Sequence, residues 1–155
     1  MNQVAVASAT SMATPASVHL PTPRAKIRIT NLRLRTLIGF NDEERRKKQD
    51  LVLNVEIVYQ PSAGALNDDV EEALNYKTIT KAIIHHVETN SFLLLEKLVA
   101  DVLYLSLEHP SVTSARVTAD KPHALRFADS VSLTLELDKT FWDNQHPTEE
   151  KINGN

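Results

Sequence analysis

The chain reads as an α+β domain: an antiparallel sheet with two helices on one face, in the order ββααββ. Three observations predict it. Two early segments alternate apolar and polar residues at a period of two, and two middle segments repeat apolar residues at helical spacing. Two more alternating segments close the sequence. Strands outside and paired helices inside give a two-layer fold with the helices on one side of the sheet.

The first strand opens with Ile27 and Ile29 alternating with Arg28 and Thr30. The apolar parity then switches to Leu32 and Leu34. A two-residue period changes face only through an extra residue, which predicts a β-bulge near Asn31. Leu51, Leu53, Val55, Ile57 and Tyr59 form the second strand, with Val52 and Val58 partly covering its other face. Between the two strands, the charged run from Asn41 to Gln49 reads mostly as a solvated connection.

Tyr76, Ile79, Ile83 and Val87 define the first helix, capped by Asn75. After Asn90, Ser91 is the expected cap of a second helix. Its stripe is Phe92, Leu95, Val99, Val102 and Leu103, and Pro110 stops it. Ala115, Val117 and Ala119 mark the third strand; Val131, Leu133, Leu135 and Leu137 mark the fourth. The folded domain is expected over residues 26–138. Residues 1–25, rich in Ala, Ser, Thr, Val and Pro and without Asp, Glu, Lys or Arg up to Pro23, read as a disordered tail. Residues 139–155 read as a polar, flexible tail.

Composition bounds the chemistry. The 155 residues carry a net charge of −3, which gives no bulk attraction to nucleic acid or an anionic membrane. No apolar run approaches the roughly 20 residues of a membrane span. Zero cysteine removes thiol nucleophiles and thiolate metal sites. The three glycines, Gly39, Gly64 and Gly154, lie too far apart for a dinucleotide or Walker loop, so any phosphate must be held by side chains and helix ends. His85 and His86 are adjacent rather than four apart on their helix, and no metal site is expected. Two helices cover only one sheet face, and the open face and edges predict a homo-oligomer.

Three features carry candidate chemistry. Glu96, in Leu93-Leu94-Leu95-Glu96-Lys97-Leu98, falls just inside a helix N-terminus at the edge of the apolar stripe. It is either a surface glutamate at a favourable dipole end or a fixed carboxylate that accepts paired hydrogen bonds from an amidine-like ring edge. The segment Ala119 to Ser130 is too long for a tight hairpin and sets Lys121, His123 and Arg126 at a strand end, as a solvated basic loop or a functional one. Tyr76, at the entry to the first helix, is either a core residue with a wet hydroxyl or a site residue.

Together, and in order, these stretches resemble the dihydroneopterin aldolase and epimerase family. The matching segments are Leu32-Arg33-Leu34-Arg35-Thr36, Ile38-Gly39, Gln49-Asp50 and Ala73-Leu74-Asn75-Tyr76-Lys77-Thr78-Ile79-Thr80-Lys81. They continue with His86-Val87-Glu88, Leu94-Leu95-Glu96-Lys97-Leu98 and the run from Asp120 to Ser132. The Leu-Arg-Leu-Arg-Thr start and the Asp-Lys-x-His-Ala-Leu-Arg run look like the epimerase branch.

The resemblance implies a tunnelling fold (T-fold). Four subunits close a barrel ring and two rings stack into an octamer, with active sites between subunits. It implies a cytoplasmic, cofactor-free enzyme acting on 7,8-dihydropterins. The expected activity is epimerisation at C2′ of the triphosphate, with aldolase activity or a non-catalytic pterin-binding ring as alternatives. By the same resemblance Lys121, Tyr76 and Glu44 are the catalytic candidates, with Glu43 one residue from the Glu44 position. Glu96 and Leu95 are the expected ring contacts. His123 and Arg126, with Arg33 or Arg35, are candidate phosphate partners.

Overall fold

The structure, a computed structural model, describes residues 21–145. The expected tails lie outside the described residues over 1–20 and 146–155. Strands β1 (Ala25–Ile38) and β2 (Gln49–Tyr59) pair antiparallel. β2 then pairs with β4 (Val112–Pro122), and β4 with β5 (Ser130–Asp138), both antiparallel. A short β3 (Ser91–Phe92) joins the far side of β1, giving the order β3-β1-β2-β4-β5. Helices α2 (Tyr76–Thr89) and α3 (Leu95–Leu107) pack on one face of this sheet and on each other.

The bulge is where the parity switch puts it. Ile29 faces Val55 and Leu32 faces Leu53, so β1 spends one residue more than β2 across the same interval. Asn31 takes the left-handed conformation (φ +53°), which asparagine tolerates better than most residues. Its N–H donates to Asn54 Oδ1 at 2.9 Å.

The odd-numbered side chains of β2 and β4 form the buried face. Leu51, Leu53, Val55, Ile57, Val117 and Ala119 pack beneath Ile83 and Val87 of α2 and Leu98, Val99 and Val102 of α3. Each such aliphatic contributes about 1.5–3 kcal/mol by leaving water. Two polar side chains, Thr36 and Ser106, are fully buried among the described residues; Thr36 donates its hydroxyl to the Val87 carbonyl at 2.6 Å and ties β1 to the end of α2. The opposite face is polar. Glu56 pairs with Lys26 (3.1 Å) and Arg28 (2.9 Å) there, and Thr118 bonds Thr134 across strands at 2.7 Å.

Several elements differ from the sequence expectation. Asn75 does cap α2, accepting from the N–H groups of Lys77 and Thr78. Ser91, however, caps nothing. Ser91 and Phe92 run parallel to Leu37 and Ile38, and α3 starts at Leu95 with no side-chain cap at Leu94. Phe92 therefore leaves the helical stripe and reaches the core from a strand, where its carbonyl accepts the Gly39 N–H at 3.0 Å. Backbone pairing at the sheet edge outweighs two more residues of helix, so the sheet is not wholly antiparallel.

The connection after β2 holds a helical turn, α1 (Ala63–Leu66), capped by Ser62, and a 3-10 turn at Val70–Glu72, capped by Asp69. The chain continues past β5 as α4 (Lys139–Gln145), where the sequence suggested a frayed segment. No helix among the described residues is long and apolar enough to cross a membrane.

Candidate functional site

Lys121 is the penultimate residue of β4, beyond the pairing of Asp120 with Val52 at the start of β2. It thus stands at the end of the sheet where β1 finishes. Its Nζ lies 2.5 Å from Glu44 Oε1. The two side chains are only 11% and 22% exposed, so this is a largely desolvated pair rather than a surface ion pair.

Glu44 is held there by its own loop. The Glu44 N–H donates to Asn41 Oδ1 at 2.8 Å, and the Asn41 N–H donates back to Glu44 Oε2 at 3.3 Å. That reciprocal pair is a capping box, Asn41-x-x-Glu44, closing a turn whose Arg45 and Lys47 N–H groups bond back to Asn41 and Glu43. Room for the carboxylate comes from Gly39, at φ +130°, where a Cβ would run into the Glu44 side chain. The hydrogen bond from Lys121 holds the Glu44 carboxyl below the ordinary carboxylate range, outweighing burial, which pushes it up. Glu43, the neighbouring candidate, is exposed and leans on Lys47 instead (3.5 Å).

The Gly39 N–H links this loop to Phe92, and the chain then enters α3. Leu95, half-buried, and Glu96, exposed, fill its first turn, so their N–H groups and the Glu96 carboxylate sit at the positive end of the helix. Glu96 has no side-chain partner among the described residues. The start of α3 is braced by Asp101, which takes Lys97 at 2.7 Å and His86 of α2 at 2.8 Å. Burial pushes the Asp101 carboxyl up, but those two hydrogen bonds overcome it and leave it lowered.

His123 follows two residues after Lys121 in a left-handed conformation (φ +61°), with its N–H donating to the Asp129 carbonyl at 3.3 Å. It lines a cleft of about 440 Å³ together with Arg33, Arg35, Asp50 and Glu88. Arg126 is exposed, outside that cleft's lining, with its guanidinium 5.6 Å from the Phe127 ring centre. Tyr76 is elsewhere. It is half-exposed and lines an apolar hollow of about 700 Å³ with Ile27, Ile29, Tyr59 and Leu74. Tyr59 ends β2, and Val52 lies near its start. At about 3.3 Å per residue they stand roughly 20 Å apart, so one protomer does not bring Tyr76 to Lys121.

One protomer therefore joins Lys121 to Glu44, ties their loop through Gly39 to Phe92 just ahead of α3, sets His123 two residues beyond Lys121, and leaves Tyr76 apart. Gly39 and Asn41 escaped the sequence reading as supports of Glu44. The signal for Asn41 was present, an Asn with a Glu three residues on.

Residues 27–136 match the family described as FolB, dihydroneopterin aldolase. The chain belongs to that family. It is 57% identical over 113 residues to the dihydroneopterin triphosphate 2′-epimerase of Escherichia coli (strain K12), covering 73% of this chain and 94% of that protein. It is 56% identical over 112 residues to the enzyme of that name from Pseudomonas aeruginosa, covering 72% and 90%. The crystal structure of Escherichia coli dihydroneopterin aldolase in complex with neopterin superposes with a TM-score of 0.68 at 30% identity, covering 73% of this chain and 98% of the other.

Proposed function

We propose that the chain is a dihydroneopterin triphosphate 2′-epimerase, an isomerase that works by retro-aldol cleavage and re-addition. The observation that carries the reaction class is the desolvated Lys121–Glu44 pair, assembled beside the start of α3. The greater similarity to proteins named as epimerases than to the aldolase supports the branch.

Residues 26–138 are the pterin-binding unit in this reading. Glu96 accepts the 2-amino and N3 hydrogens of the ring, and the N–H groups of the first α3 turn, at Leu95, face it. Lys121, hydrogen-bonded to Glu44, supplies the proton to N5, directly or through water. The protonated C6=N5 unit then takes the electron pair of the C1′–C2′ bond as the 2′-hydroxyl loses its proton. The products are an enamine and an aldehyde that carries C2′ and C3′. The substrate brings its own imine, so no lysine Schiff base is needed. Re-addition to the opposite aldehyde face restores the bond with C2′ inverted, and escape of the aldehyde gives aldolase products.

Tyr76 exchanges protons at the side-chain hydroxyls and comes from a neighbouring copy. The exposed apolar hollow around it and the open sheet edges support a ring of subunits, stacked as an octamer, with sites between copies. The setting is cytoplasmic and the reaction uses no cofactor.

Incubation with 7,8-dihydroneopterin triphosphate followed by chiral chromatography tests the reading. The monapterin form is expected as the main product. Predominant 6-hydroxymethyl-dihydropterin would assign the chain to the aldolases.

A further inference from the structure

We propose that the cleft of Arg33, Arg35 and His123 receives the polyphosphate end of the substrate, and that Arg33 and Arg35, rather than Arg126, set the preference for a triphosphorylated pterin. This assignment rests on the pterin reading above.

The cleft begins one residue beyond Lys121, at Pro122 and His123. A group that protonates N5 stands beside the root of the substrate's side chain, because that chain grows from C6. The phosphates, on C3′, then fall just past Lys121. The volume, about 440 Å³, is within the range of pockets that take small molecules.

Arg33 and Arg35 are two apart on β1, opposite Val52 and Asp50, so both project from the same side of the strand. Arg33 has no carboxylate partner among the described residues. Arg35 is already oriented: its Nε lies 3.3 Å from Asp50 Oδ1 and its Nη2 donates to the Lys48 carbonyl at 3.0 Å. That pair is two-thirds exposed on both sides, so Arg35 can turn a free guanidinium N–H to a phosphate while keeping Asp50. Two guanidinium forks suit phosphate oxygens geometrically, which a point charge does not.

His123 adds a third donor from the facing loop, in a left-handed backbone conformation that a non-glycine residue holds only where its surroundings impose it. Asp50 and Glu88 oppose an anion in this cleft. Arg35 answers Asp50, and Glu88, exposed on α2, is the remaining opposing charge. Arg126, lying over Phe127, is outside the lining.

The test uses the full chain with dihydroneopterin triphosphate, unphosphorylated dihydroneopterin and inorganic tripolyphosphate. In Arg33→Gln and Arg35→Gln, the ratio of kcat/KM for triphosphate over unphosphorylated substrate is expected to fall by about tenfold or more, carried by KM. Tripolyphosphate is expected to bind the wild type in calorimetry and to lose about tenfold in affinity in the double variant. An unmoved ratio, or one that Arg126→Ala lowers further than Arg33→Gln does, overturns the assignment. So does tripolyphosphate binding that ignores both arginines. A wild type that turns over neither pterin removes the epimerase reading instead, and tripolyphosphate binding that still depends on the arginines would then leave an anion site standing without it.

Discussion

The two ends of the sheet are built differently. At one end Lys121 is already paired, desolvated and braced by a capping box, a glycine and a hydrogen bond to β3. At the other, Tyr76 and its apolar neighbours line an open hollow, with Leu66 and Val70 exposed on the same connection. The first arrangement is complete within one chain. The second has the character of a surface that another surface finishes, since exposed apolar clusters mark interfaces. Under the proposed function, folding places the proton-transfer groups and assembly supplies the remaining contacts.

The largest effect expected from breaking this contrast is at the complete end. Lys121→Ala should lower kcat on dihydroneopterin triphosphate by about 10²–10⁴-fold, the usual span for loss of a positioned acid. A turnover within threefold of wild type would remove Lys121 from the chemistry.

The open end is sharpened by mixing. Tyr76→Phe and Lys121→Ala proteins, each impaired, should regain activity when unfolded together and refolded as mixed rings, because some sites then combine intact halves. Tyr76→Phe alone should cost about tenfold or more. Mixtures with only the averaged activity of the two parents would place both residues in one chain's site.

The smallest effect is in stability. A carboxyl whose pKa is lowered on folding stabilises the fold above its unfolded pKa, and that contribution fades as pH falls through the folded value. Wild type should therefore exceed Glu44→Gln by on the order of 1 kcal/mol in denaturant unfolding at neutral pH. The gap should narrow as pH falls below the ordinary glutamate range and close only once the folded carboxylate protonates as well. A gap that does not narrow on acidification would mean that packing, not charge, is what Glu44 contributes.

The strands and the bulge were legible because a two-residue period and its reversal are local signals, carried by Ile29, Leu32 and Leu34. Ser91 was misread for the complementary reason. Its serine in front of an apolar run looks like a cap, while its partner, Leu37, is far off in sequence. Glu96, at the start of its helix, was legible from spacing. Glu44 against Glu43 was not decided by counting, whereas the Asn41 turn brings Glu44 rather than Glu43 to Lys121. His123 and Arg126 read as one basic loop, but the left-handed turn at His123 directs the chain so that only His123 lines the cleft.

The extra residue at Asn31 acts as a phase shift in a periodic signal. It puts Arg28, before it, and Arg33 and Arg35, after it, on the same side of β1 although their numbers differ in parity. Removal of that one residue would leave plain alternation, with Ile27, Ile29, Leu32 and Leu34 still on one face. A single deletion elsewhere in the strand would instead keep the bulge and turn the residues beyond the cut over, exchanging core and polar positions. Residue 31 is thus the position in β1 where the loss of one residue keeps both halves in phase, and the rest of the strand is less forgiving of single insertions and deletions than a surface loop.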